Sequence, residues 1–216
     1  MNQLIPWFEI AAMAASWLAI QQIRQSPSLW VFPVLLTIIV GVDSTQIIFQ
    51  TGAYHNNTLI YNLQEPIIWL LYASSLYLAF NAPKFKRITV GSGLLYLLVA
   101  IITMPYYLRE QQFNVILVAV GSALIIGLIL LKLYEMLESP MGFNFLRKPY
   151  FYILFLYLIF NVSTLPYFTM VNWLVYDLGR EDIIKVLKNV MSVMNVLLYA
   201  TYTVCFLWIR VTKVSS

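Results

Sequence analysis

Among the ionisable residues that stand inside otherwise apolar stretches of this chain are the acids Glu9, Asp43 and Glu65 and the amines Lys185 and Lys188. An ionised group in hydrocarbon costs about 2.5–3.5 kcal/mol even on the mildest insertion scale, so such residues turn away from lipid and find a partner or line a polar path. Groups of this kind can hold a proton or small ion, bind a polar solute, or lock helices together in an ion pair. Amides and hydroxyls accompany them at helical spacing. Asp43, Gln46 and Gln50 recur at i, i+3, i+7, and Asn62, Glu65, Trp69 and Tyr72 continue the pattern to i+10. Lys188, Ser192, Asn195, Tyr199 and Tyr202 form a third stripe, and Asn161 with Thr164 a short fourth one.

The elements that carry these residues follow from composition. With 61% hydrophobic residues, 10% charged residues and a mean hydropathy of +0.79, the chain lies far from the balance of a soluble domain. Its apolar residues fall into seven blocks, at 6–24, 29–50, 58–80, 88–107, 113–135, 150–170 and 183–209. Each block supplies about the 20 residues that a helix needs to cross the hydrocarbon core. The blocks are continuously apolar rather than alternating, which predicts helices and not barrel strands. The expected fold is therefore an all-α, polytopic seven-transmembrane-helix bundle, one membrane domain over residues 1–216.

Sidedness comes from the thirteen Lys and Arg residues. With seven crossings, nine of them (Arg24, Lys84, Lys86, Arg87, Lys132, Arg147, Lys148, Arg210 and Lys213) fall on one side and four on the other. The positive-inside rule then places the N-terminus outside and the C-terminus in the cytoplasm. The opening MNQLIPWFEI carries no basic residue, so the first block reads as a span and not as a signal peptide. In this topology Asp43 and Glu65 both lie about 10 Å below the outer boundary and Lys188 roughly 9 Å below it. Acids and amines are thus expected to meet at one level, in a pocket open to the outside. Its expected members are Glu9, Asp43, Gln46, Asn62, Glu65, Asn161, Thr164, Lys185, Lys188, Ser192 and Asn195. Pro66, next to Glu65, would loosen the helix there.

Other chemistry finds little support. The lone Cys205 provides neither a disulfide nor a thiolate cluster, and no paired-histidine metal site, nucleophile elbow or glycine-rich phosphate loop occurs. No metal or cofactor is implied, and catalysis is disfavoured. The net charge of +4 concentrates in the inner loops, where Lys84, Lys86, Arg87, Arg147 and Lys148 suit anionic headgroups or a cytoplasmic protein partner; nucleic acid need not be invoked. His55 reads as a loop residue, and Asn56-Asn57-Thr58 matches the glycosylation pattern. Spans one to three and five to seven share a topology that would suit parallel repeats, with a site at their interface.

The segment containing Asn56, Asn57, Ile60, Tyr61, Asn62 and Glu65, together with Asn195, Leu197, Leu198, Tyr199, Phe206 and Leu207 near the end, resembles small seven-helix integral membrane proteins of bacteria. The resemblance implies a bacterial inner (cytoplasmic) membrane location and brings no activity, substrate or cofactor. Two functions fit these residues. One is an outward-facing polar pocket that binds or transports a small polar solute or ion; the alternative is a non-catalytic sensory or accessory subunit of a larger membrane complex.

Overall fold

The structure, a computed structural model, describes residues 4–50, 58–110, 112–138, 142–173 and 181–212. It is 92% helical, with no strand among the described residues. The helices are α1 (Ile5–Leu18), α2 (Ile20–Ile23), α3 (Pro27–Gln50), α4 (Thr58–Ala79), α5 (Pro83–Arg109), α6 (Val115–Leu137), α7 (Pro149–Asn172) and α8 (Glu181–Thr212), with a 3-10 turn at Gly142–Arg147. Proline opens α3, α5 and α7, where its preset φ suits a first turn and its missing N–H costs nothing. The side chain of Asn114 caps α6 by accepting the Leu117 N–H at 3.0 Å.

Five helices, within α3, α5, α6, α7 and α8, are long and apolar enough to cross a bilayer, the mark of an integral membrane protein. Helix α4 falls outside that group because Asn62, Gln64 and Glu65 dilute its apolar run. The first expected span, 6–24, is divided: α1 ends at Leu18, and Ala19 leaves helical geometry with φ −89° and ψ 2° before the single turn of α2.

Helix α1 packs against α3 and α8, α3 against α4, α4 against α6, α6 against α7, and α7 against α8. These contacts close a ring. Helix α5 stands outside it, resting on α4 and α6 and presenting Leu94, Leu98, Ile101 and Ile102 outward. Such an apolar outer face is what lipid contact requires.

Aromatic side chains fill the ring. Tyr72 of α4 stacks on Tyr157 of α7 with centroids 3.8 Å apart, and Phe32 of α3 meets Tyr72 and Tyr202 edge-on at 5.9 and 5.6 Å. Contacts of this kind add about 0.5–1.5 kcal/mol each beyond the area they bury. A second stack locks α5 to the ring: Trp69 and Tyr96 lie 4.1 Å apart, and the Trp69 indole N–H donates to the Gly121 carbonyl at 2.8 Å. Gly121 must be a glycine for this. A Cβ there would sit 2.7 Å from Tyr96 Cε2 and 3.1 Å from Trp69 Cδ1, and both rings are already wedged together. We expect Gly121→Ala to destabilise the protein by about 1–3 kcal/mol through overpacking, read as a lower unfolding midpoint in detergent, while Gly127→Ala, which meets open space, leaves the midpoint unchanged.

Candidate functional site

The acids nominated by sequence point into the ring. Glu9 on α1 is 4% exposed. Its carboxyl group lies within hydrogen-bonding reach of Asp43 on α3, and the Tyr199 hydroxyl of α8 stands beside Glu9. Three helices thus meet at a carboxyl pair. From Tyr199 the polar path continues inward along α8 to Tyr202, whose hydroxyl shares a 2.9 Å hydrogen bond with that of Tyr72 on α4. Tyr72, its stacking partner Tyr157 and Tyr96 of α5 all lie within electrostatic reach of Glu65. Residues from α1, α3, α4, α5, α7 and α8 therefore share one acid-and-phenol interior.

The amines do not join it. Lys185 and Lys188 are exposed, and among the described residues no ion pair links either one to Glu9, Asp43 or Glu65. The expected meeting of opposite charges is thereby corrected. Lys188 lies on the inward stripe of α8, but a lysine stem of four methylenes lets the ammonium reach water instead of paying for burial. The carboxyl pair is consequently acid against acid.

The remaining nominated residues divide into two groups. Asn62 is a fastening for the chain between α5 and α6: its Nδ2 donates to the Gln112 carbonyl at 2.9 Å, and its Oδ1 accepts the Asn114 N–H at 2.9 Å. Asn114 in turn donates to Thr103 Oγ1 at 2.8 Å. Asn62 thus has a structural task, tying α4 to the chain between α5 and α6. Asn161, Thr164, Ser192 and Asn195 each donate to the carbonyl one turn back, of Tyr157, Phe160, Lys188 and Met191 respectively. Each thereby spends a donor on the backbone of its own helix. The side chain of Gln46 and residues His55, Asn56 and Asn57 lie outside the described residues.

At the opposite end of the ring, a cluster that sequence reading placed only in the basic tally proves to be built in. Lys132 of α6, 5% exposed, donates to Glu135 Oε2 at 2.7 Å and to the Ala79 carbonyl at the end of α4 at 2.5 Å. Glu135 Oε1 accepts the N–H groups of Asn81 and Ala82 at 3.0 and 2.8 Å. One ion pair thus closes the C-terminus of α4 and the turn into α5, over the Phe80 ring. The i, i+3 spacing of Lys132 and Glu135 was the available signal. Of the basic residues expected at lipid or a partner, Lys84, Arg87, Arg147 and Lys148 are exposed, while Lys86 is part-buried with its amine 5.5 Å from the Tyr77 ring centroid.

No family model, no curated protein and no solved structure matches the chain. Function therefore has to be argued from the side chains themselves.

The two lysine environments give a direct comparison. Lys132→Met leaves the Glu135 carboxylate and the Ala79 carbonyl without their donor and should cost about 2 kcal/mol. Lys188→Met removes an exposed charge and should change stability by less than about 0.5 kcal/mol. Urea or thermal unfolding of the two variants in one detergent checks the difference.

Proposed function

We propose that the chain crosses the bilayer seven times, with its N-terminus outside and its C-terminus in the cytoplasm, and that the outer half of its helix ring forms a polar pocket that binds or moves a small polar solute or ion. The helices α1 with α2, α3, α4, α5, α6, α7 and α8 supply the seven crossings, and nine of the thirteen basic residues then fall on the cytoplasmic side. On this topology Glu9, Asp43 and Glu65 belong to the outer half and the Lys132–Glu135 clasp to the inner end.

The carrying observation is the meeting of Glu9 with Asp43 where a lysine was expected. Two carboxylates from separate helices, taken out of water, repel each other unless a proton or another small cation stands between them. A structural lock would use charges of opposite sign. The excess of acid over base in this interior selects a cationic ligand and disfavours an anion.

Accessibility tests this reading without knowing the ligand. In a Cys205→Ser background, Asn195→Cys should react with a membrane-impermeant thiol reagent added outside intact cells, and Lys148→Cys only after permeabilisation. A residue at Asn195 that stays unreactive from the outside, or a Lys148→Cys variant that labels in intact cells, would overturn the pocket or the orientation respectively.

A further inference from the structure

The end of the ring that holds the Lys132–Glu135 clasp is drawn together by contacts among α3 to α8. Ser75 of α4 donates to the Ser28 carbonyl of α3 at 2.8 Å and shares a 3.1 Å hydrogen bond with the Tyr150 hydroxyl of α7, while the Tyr152 ring lies 6.0 Å from that of Trp208 on α8. The clasp itself joins α6 to the end of α4 and the start of α5. The starts of α3, α5 and α7 therefore stand at one level.

Cations gather there without anions to answer them. Arg24 precedes α3, Lys84 and Arg87 lie in the opening turns of α5, and Arg147 and Lys148 directly precede α7; all are exposed, and none enters an ion pair among the described residues. The acids at this end are Glu135, taken by the clasp, and Glu138, which accepts the Tyr134 hydroxyl. A helix begins at the positive pole of its dipole, so cations at its start add to the field instead of cancelling it, and no acid occupies the first turn of α3, α5 or α7. Arg109 shows the contrary arrangement, in the last turn of α5 where the dipole favours it. The uncompensated field at the clasp end calls for an anion from outside the chain.

The surroundings decide its kind. Trp30 in the first turn of α3, Tyr77 near the end of α4 and Tyr134 near the end of α6 are exposed at the same level, and the Lys86 amine rests 5.5 Å from the Tyr77 ring centroid. Exposed aromatic rings beside cations are the mixture that suits a membrane boundary. Along α5 the exposed Arg87 gives way at once to exposed Ile88, Val90 and Leu94. A body held by the cations thus continues onto apolar surface, so it is charged at one end and oily below. A soluble acidic protein would need only the charge.

We propose that the rim formed by the starts of α3, α5 and α7 binds the headgroups of anionic phospholipids, whose acyl chains run down the outer face of α5. The phosphates supply the negative charge that the rim lacks, and the chains cover the leucine, isoleucine and valine side chains below it. This surface stands independently of the solute pocket and of the side of the membrane on which the rim lies.

The test offers the full chain, in a neutral detergent, an equal mixture of phosphatidylglycerol and phosphatidylcholine with the same acyl chains, and native mass spectrometry reads which lipid is retained. The wild-type protein should keep phosphatidylglycerol in preference, and the preference should shrink as salt is raised. Lys84→Gln with Arg87→Gln, and Arg147→Gln with Lys148→Gln, should each lower the preference about fivefold or more while phosphatidylcholine retention is unchanged, which shows the variants to be folded. Arg109→Gln, at the other end of α5, should leave the preference as it was.

Equal retention of the two lipids by the wild-type protein overturns the proposal, as does a preference that survives both double substitutions or falls as far in Arg109→Gln. Displacement of phosphatidylglycerol by excess soluble glycerol phosphate would also overturn it, since the rim would then be a site for free phosphate. Failure of external labelling at Asn195 is a separate result that sinks the pocket and leaves the lipid rim standing.

Discussion

A polar atom inside a lipid-embedded ring of helices has no water to fall back on, and the whole interior is arranged around that constraint. Most of the polar atoms are settled locally. Asn161, Thr164, Ser192 and Asn195 return a hydrogen to the preceding turn of their own helices, and Thr37, Thr89 and Thr103 do the same. Bonds of this kind hold no neighbouring helix in place. Cohesion between helices falls to a small number of long-range contacts, chiefly the Trp69 indole on Gly121, the Tyr72–Tyr202 pair, Ser75 on the Ser28 carbonyl and the Asn62 fastening. Among the described residues, neither solution reaches the Tyr96 hydroxyl or Gln22 Oε1, which are buried without a partner.

The two ends of the ring treat charge in opposite ways. At the Lys132–Glu135 clasp, a cation and an anion cancel and also satisfy the backbone groups exposed where α4 stops and α5 begins. That cluster is complete, with every hand used. At the meeting of α1 and α3, Glu9 and Asp43 stand together without a base among the described residues. A fully satisfied network rigidifies, whereas like charges brought together from separate helices work against one another. Aromatic filling occupies the ring between the two ends, where Phe32 meets Tyr72 and Tyr202 and Tyr72 stacks on Tyr157.

The outer position of α5 has a physical counterpart in its sequence. Helices that take part in the ring carry polar or aromatic stripes, and α5 carries mostly leucine, isoleucine and valine toward the outside. Of its buried residues Phe85, Thr89, Tyr96, Ala100 and Tyr107, it is Tyr96 that is received by the notch at Gly121. The helix least engaged in the ring thereby supplies a buried hydroxyl that lacks a partner.

Much of this protein was decided by residue order alone. Continuous apolar blocks made it helical and membrane-bound, because a helix satisfies its own backbone in hydrocarbon, and the 3.6-residue period put Asn62, Trp69, Tyr72, Ser192, Tyr199 and Tyr202 on buried faces. The partners of those residues were not legible. Period tells which face a residue occupies, not which neighbour that face meets or at what depth, and equal estimates of depth for Asp43, Glu65 and Lys188 implied a pairing that the structure does not make. The spacing that put Asn62 on the face of Glu65 gave no sign that it also ties down the chain between α5 and α6. Lys132 looked like one more inner-loop charge until its turn was seen against the end of α4. Tertiary packing settled these points because they depend on where helices cross and how far a long side chain can reach, quantities that no spacing along a single helix contains.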